Sequence, residues 1–375
     1  MVVLGTRPEA IKLLPVIEEL RRRSIPVSVC STGQHGDLLD PSLMADVAPD
    51  LKLDLMKPGQ SVCALTGRIL SALDEVLATS LPTRVVVQGD TATAVAAAQA
   101  AYLHGISVAH VEAGLRSGDL GAPHPEEGNR RMIAAIADLH FAPTVAAARA
   151  LRSEGICAHS IYVTGNTVVD ALMAICDRLS ANPALAGEAN DVLRSCGSRK
   201  LVLVTCHRRE SIRDLPEIAA AIRALAARPD VYVALPLHPN PMVGAELKAA
   251  LNHLSNVALL PALRFGPFLA LLTAAYVVLS DSGGVQEEAP VLGVPLLVMR
   301  DKTERPEGVA AGTVRLVGTR ARRIVAECCR VLDDPSLRAH MAWPHSPYGD
   351  GRAAERIVDV LASASVSRAA AAQNS

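Results

Sequence analysis

The stretch Arg84-Val85-Val86-Val87-Gln88-Gly89-Asp90-Thr91 runs from a β-branched segment into a glycine. An alanine-rich segment over residues 91–104 follows, and Ser107-Val108-Ala109-His110-Val111 opens a second apolar run. A short run that is apolar on both faces is a strand covered on both sides, and such strands separated by amphipathic helices form parallel sheets. The same alternation extends in both directions. Strands are predicted over residues 2–4, 27–30, 139–142 and 161–163, then over 201–205, 231–235, 276–280 and 295–299, with helices over 9–23 and 167–179. One sheet of a dozen strands is improbable, so the pattern predicts an α/β fold of two doubly wound domains facing a central cleft. The polar interval 180–200 reads as the linker between them. In open α/β sheets ligands sit at the carboxyl ends of the strands, and chemistry is sought there.

Composition sets the outer limits. The chain has 375 residues and 39.3 kDa, is half hydrophobic, and sets 37 Lys+Arg against 38 Asp+Glu for a net charge of -1. That balance argues against a nucleic-acid partner, which calls for a basic stripe, and against a disordered chain. No run approaches the ~20 apolar residues of a membrane span. Met1 to Pro8 shows no basic stretch leading into an apolar one, so a cytoplasmic protein without membrane association is expected. Eight scattered cysteines include no Cys-x-x-Cys pair, so no metal is expected.

The strand ends are rich in charge. After the first strand comes Gly5-Thr6-Arg7-Pro8-Glu9-Ala10-Ile11-Lys12. Cations at a helix N-terminus do nothing for the helix, whose dipole is already positive there. They suit a bound phosphate. Asp90 follows the next strand, Glu112 the one after, and Glu126-Glu127-Gly128-Asn129-Arg130 a later loop. Singly these acids read as caps or first-turn charges. At successive strand ends they read as clustered carboxylates fit for proton transfer. In the second half, His207-Arg208-Arg209-Glu210 and His238-Pro239-Asn240 follow strands, and Asp281-Ser282-Gly283-Gly284-Val285-Gln286-Glu287-Glu288 opens a helix with small residues. Bare N–H groups, a hydroxyl and two glycines make a phosphate cradle. Arg300 to Glu307 adds further cations. No Gly-x-Gly-x-x-Gly follows a strand, so nicotinamide is not supported. A nucleoside-diphosphate ligand fits the set.

These blocks, with Ala311-Gly312-Thr313 and Pro347-Tyr348-Gly349-Asp350-Gly351, resemble the non-hydrolysing UDP-N-acetylglucosamine 2-epimerases from the first residue to about Leu361. Ser346 stands where relatives usually carry Asn. The resemblance implies a GT-B-like pair of Rossmann-like domains, over residues 1–175 and 176–350. A helix over about 351–362 would return to the first, and a disordered tail would follow from 363. It implies a homodimer, no cofactor, and reversible epimerisation of UDP-GlcNAc to UDP-ManNAc through elimination of UDP to 2-acetamidoglucal. By the same resemblance Asp90, Glu112, Glu126 and His207 are catalytic. Arg7, Lys12, Arg130, Phe268, Ser282, Gly283, Gly284, Glu288 and Arg305 bind substrate. Gln34, Asp37, Arg68, Arg208 and His238 match an activator site for a second UDP-GlcNAc; Asp37 replaces an amide there, which disfavours a diphosphate. The alternatives are a hydrolysing epimerase releasing ManNAc and UDP, a glycosyltransferase of the same fold, and a non-catalytic UDP-sugar sensor.

Overall fold

In the computed structural model, which describes residues 1–34, 48–57, 59–206, 214–237, 241–303, 305–343 and 347–372, the chain divides into two units. One holds Met1–Ala174 and the segment from Tyr348 onward; the other is Ile175–Pro347.

The first unit is built on seven parallel strands in the order β3-β2-β1-β4-β5-β6-β7. These are β1 (Val2–Leu4), β2 (Val29–Ser31), β3 (Leu51–Lys52), β4 (Arg84–Gln88), β5 (Ser107–Val111), β6 (Leu139–Ala142) and β7 (Ile161–Val163). The second has six, in the order β10-β9-β8-β11-β12-β13. Here β8 is Lys200–Thr205, β9 Val231–Pro236, β10 Val257–Leu260, β11 Val277–Ser280, β12 Leu296–Val298 and β13 Val314–Leu316. Every pairing is parallel. The chain is thus α/β with two Rossmann-like units. In each, the strand order reverses once: between β1 and β4, and between β8 and β11. Crevices at such switch points are where doubly wound sheets hold ligands.

Local chemistry explains the elements beside the first switch point. Helix α1 (Arg7–Arg22) starts at Thr6, whose side chain and Glu9 form a reciprocal capping box, with a proline in the first turn. Helix α2 (Val62–Ser80) buries Leu65, Ile69, Leu73 and Leu77, a four-residue spacing that puts one stripe on the core. It packs on α3 (Ala92–Leu103), nine of whose residues are buried; alanines let the two helices and the sheet approach closely. Gly5 is required where β1 ends, because a Cβ there would collide with the hydroxyls of Thr93 and Thr32. Core residues Val3, Val85 and Val87 of the sheet meet these helices. The second unit has its own core, from Val202 and Val204 through Leu279 and Leu297 to Val331.

Two sequence expectations change. The interval 180–200 is not an open linker. It contains a 3₁₀ turn, Pro183–Ala186, and helix α7 (Ala189–Cys196), while the passage between units falls inside α6 (Thr167–Ala181). Val192 and Cys196 bury one side of α7, so its polar residues occupy only the outer face. The last helix, α15 (Ala353–Ala372), continues past Ser363, where a disordered tail was expected. Alanine, which supplies much of that stretch, is the strongest helix former. Its start is fastened to the first unit by Asp170, whose Oδ1 accepts the Ala354 N–H at 2.8 Å. Burial pushes the Asp170 carboxyl up despite that bond. Among the described residues no helix is long and apolar enough to cross a membrane.

Candidate active site

At the first switch point the ends of β1, β4 and β5 bring together residues far apart in sequence. Lys12, on the second turn of α1, puts its ammonium on Oε2 of Glu112, and both residues are over nine-tenths buried. The same oxygen accepts Nδ2 of Asn166 at 2.7 Å. Glu112 has φ of 63°. A non-glycine residue in that region costs about 1–3 kcal/mol and persists only where its surroundings hold it. Beside it Gly89 has φ of 70°, and a Cβ there would lie 3.9 Å from Glu112 Oε1.

Asp90 is not the cap of α3. Thr91 takes that role, its hydroxyl accepting the Ala94 N–H at 3.0 Å. This leaves the Asp90 carboxylate to Arg130, whose Nε donates to Oδ2 at 2.8 Å and whose Nη2 lies 2.7 Å from the same oxygen. Arg130 lies on α4 (Glu126–Ile136), and its Nη1 also donates to Glu127 Oε2 at 3.0 Å. Glu127 is fully buried. Burial works against its ionisation, but the Ser117 N–H and Arg130 prevail and its pKa is lowered. Glu127 is therefore the buried anchor of Arg130. Its neighbour Glu126 has a buried Oε2 with no hydrogen-bond partner among the described residues. A carboxylate so placed awaits a partner, because an unsatisfied buried acceptor is costly. Arg7 is half-buried at the start of α1.

Two further groups brace these loops. Glu9 is fully buried and accepts four hydrogen bonds: Gly5 N–H at 3.0 Å, Thr6 N–H at 2.7 Å and Thr6 hydroxyl at 2.8 Å on Oε2, and Thr91 hydroxyl at 2.6 Å on Oε1. It ties the loop carrying Arg7 to the loop carrying Asp90. Burial nonetheless pushes its carboxyl above the usual range. His110 is fully buried, donates from Nε2 to the Gly89 carbonyl at 2.8 Å, and is held neutral with its pKa lowered to about 3 by burial. Sequence reasoning gave neither Glu9 nor Asn166 a role. Thr6-x-x-Glu9 is a capping-box signature that points to the first. Nothing local marks Asn166 beyond its fitness as a helix cap.

In the second unit β11 ends at Ser280, and the fully buried Asp281 leads on toward α11 (Gly283–Val291). Ser282 is the N-cap residue, yet its side chain makes no capping bond. Its hydroxyl is not spent on the helix, and the first N–H groups of α11 are open to an anion. The Ser282 N–H donates to Ser280 Oγ at 3.0 Å, and Ser280 Oγ lies 2.7 Å from Thr205 Oγ1. Gln286 bonds back to the Ser282 carbonyl at 3.2 Å and accepts the Thr303 hydroxyl, while Thr303 accepts the Arg305 N–H at 3.0 Å. Arg305 Nε donates to the buried Glu287 at 2.6 Å. The loop carrying Arg305 is thereby laced to the mouth of α11. Glu288 lies on the second turn, its Oε1 3.5 Å from where a Cβ on Gly284 would stand. Phe268 is buried on α10 (Phe265–Ala274).

Of the activator residues, Gln34 accepts the Thr93 hydroxyl at 3.1 Å, and Arg68 lies on α2 with Nε and one terminal nitrogen buried and unpartnered among the described residues. Asp37, His207, Arg208 and His238 lie outside the described residues, as do Asn240, Glu304 and Ser346.

Two doubly wound units, one with paired carboxylates at its switch point and one with a small-residue cradle at its own, define an α/β enzyme of nucleotide-sugar type. Comparison with known proteins gives the family. Residues 18–362 match the family model described as UDP-N-acetylglucosamine 2-epimerase. The chain is 44% identical over 372 residues to a UDP-N-acetylglucosamine 2-epimerase of Salmonella typhimurium, covering 98% of this chain and 99% of that one. It is similar to the crystal structure of a UDP-GlcNAc 2-epimerase from Neisseria meningitidis bound to UDP-GlcNAc, with a TM-score of 0.91, 42% identity, and 96% and 99% of the two chains covered. A Methanocaldococcus jannaschii UDP-GlcNAc 2-epimerase in complex with UDP-GlcNAc and UDP matches with a TM-score of 0.84 at 33% identity, over 96% of this chain and 98% of that one. The chain belongs to the UDP-N-acetylglucosamine 2-epimerase family and is an enzyme of that class.

Proposed function

We propose that this enzyme interconverts UDP-N-acetylglucosamine and UDP-N-acetylmannosamine without releasing free sugar. The observation that carries this reading is the pair of braced carboxylates at one switch point: Glu112 held by Lys12 and Asn166, and Asp90 held by Arg130. The C2–H of a hexosamine is a weak acid, because no carbonyl is adjacent to it. Breaking the C1–O bond to UDP builds positive charge at C1 and acidifies C2–H. A carboxylate takes that proton, the C–H electron pair becomes the C1=C2 bond, and UDP departs with the C–O pair. Re-protonation of C2 from the opposite face and return of UDP to C1 give the epimer. Two faces call for two proton carriers, for which Asp90, Glu112 and Glu126 are the candidates in the first unit. The steps balance without any net oxidation, so no nicotinamide is called for. The cradle at Ser282, Gly283 and Gly284, with Arg305 and Glu288, takes the UDP moiety, and its fixed dipoles stabilise the leaving diphosphate.

The rival is hydrolysis of the intermediate. Incubation with UDP-GlcNAc followed by chromatography separates the two: UDP-ManNAc as the accumulating product supports the proposal, and free ManNAc with stoichiometric UDP overturns it. We also propose a homodimer. Tyr102 and Leu103 end α3 with 58% and 67% exposure, and Met132 on the adjoining α4 is 52% exposed, an apolar surface suited to a second copy. Sedimentation at a mass near 39.3 kDa would contradict it.

A further inference from the structure

Asn166 stands between a helix and the Glu112 carboxylate, and its side chain is used at both ends. Its Oδ1 accepts the Val168 N–H at 3.2 Å and so caps α6. Its Nδ2 donates to Glu112 Oε2 at 2.7 Å. Its backbone N–H donates to the Tyr348 carbonyl at 2.5 Å. Tyr348 is where the chain re-enters the first unit. The preceding Gly165 has φ of +89°, and a Cβ there would stand 3.2 Å from the Tyr348 oxygen and 3.3 Å from Gly349 Cα. Backbone packing and the cap therefore fix the amide before it meets the carboxylate. Glu112 needs such fixtures, because its left-handed backbone persists only where its surroundings hold it.

We propose that Asn166 is a positioning residue for the epimerisation, its amide holding the Glu112 carboxylate in the orientation in which it exchanges a proton with C2. This rests on the reading of Glu112 as a proton carrier. Only asparagine meets the demands of the position. Aspartate keeps the cap but faces Glu112 with a second carboxylate. Serine keeps a capping oxygen but is too short to reach. Alanine loses both contacts.

The test is steady-state kinetics of the full-length enzyme with Asn166→Asp and Asn166→Ser, alone and combined with Glu112→Gln. Removing one hydrogen bond to a charged group costs a factor of roughly ten to a hundred. We expect kcat to fall by that factor or more in both single variants, with KM within about threefold. The melting midpoint should stay near wild type in Asn166→Ser, which keeps a capping oxygen, and drop in Asn166→Asp, where a second buried carboxylate faces Glu112. Placed on Glu112→Gln, either substitution should add little further loss, since the group it orients is already gone. Wild-type kcat in both single variants, with Glu112→Gln inactive, overturns the role of Asn166 alone. An undiminished further loss on the Glu112→Gln background also overturns it, since Asn166 would then act elsewhere. A fully active Glu112→Gln enzyme overturns the assignment of Glu112 and this proposal with it.

Discussion

Replacing Lys12 by methionine isolates the interaction on which the first unit's site turns. Methionine keeps the length and apolar stem of lysine but removes the ammonium that meets Glu112. Only 9% of the Lys12 side chain and 8% of the Glu112 side chain are exposed, so the carboxylate is left in a place where water cannot solvate it. Breaking a buried pair from one side costs about 3–5 kcal/mol. At roughly 2–4 °C per kcal/mol for a unit of this size, the melting midpoint at pH 7.5 should drop by about 6–20 °C. The loss should depend on pH with a definite sign. In the variant, desolvation raises the folded-state pKa of Glu112 above its unfolded value near 4.3. The native state then binds more protons than the unfolded state, so stability falls as pH rises through that window and recovers as pH falls. The deficit should be smaller at pH 5 than at pH 7.5. Adding Glu112→Gln should restore most of the midpoint, because no charge is then stranded, while turnover stays lost. The assay is thermal unfolding by circular dichroism at the two pH values. A midpoint within about 2 °C of wild type at both pH values would refute the reasoning.

Further outcomes follow from the same geometry. Asp90→Asn and Glu126→Gln should each lower turnover by about 10²-fold or more, the scale of lost general acid–base catalysis, with UDP affinity kept in titration calorimetry. Gly284→Ala should leave the melting midpoint nearly unchanged, because its nearest neighbour is Glu288 Oε1 at 3.5 Å, yet should weaken UDP by about tenfold as the methyl enters the cradle. His110, held neutral with a pKa lowered to about 3, and His140, lowered to about 4 by its own burial, contribute stability that is complete above about pH 6.5 and lost as pH falls toward those values. His110→Gln, able to donate to the Gly89 carbonyl, should flatten the acid limb of the stability curve by up to about 1.4 kcal/mol per pH unit. An unchanged slope in urea titrations from pH 6.5 to 4 would contradict that.

Strands β4, β5, β6 and β7 fall where the pattern put them, and the two of these that carry site residues, β4 and β5, were legible as β-branched runs ended by Gly89 and Glu112. The strands left unassigned are short or half-buried. β3 is two exposed residues, Val257–Leu260 is only partly covered, and β13 is three residues of which one is buried, so none produces a run that stands out. Helix α7 was hidden because its buried residues are spaced among Asn, Asp, Arg and Ser. Within the site the residue types were visible but their partners were not. Lys12 read as a cation for phosphate, yet it meets Glu112, 100 positions away, because β1 lies beside β4 and β4 beside β5. Asp90 read equally well as a cap until Thr91 was seen to cap and Arg130 to claim the acid. Pairings of this kind depend on strand order, which no local pattern encodes.

The most direct measurement is proton NMR of UDP-GlcNAc incubated with the enzyme in D2O. If a carboxylate removes the C2 proton and solvent-derived deuterium returns from the other face, UDP-ManNAc should appear with its C2–H resonance missing, and the remaining UDP-GlcNAc should lose its own as the reaction reverses. Formation of UDP-ManNAc with its C2 proton fully retained, or no C2 exchange at all, would contradict proton transfer at C2 as the chemistry of this site.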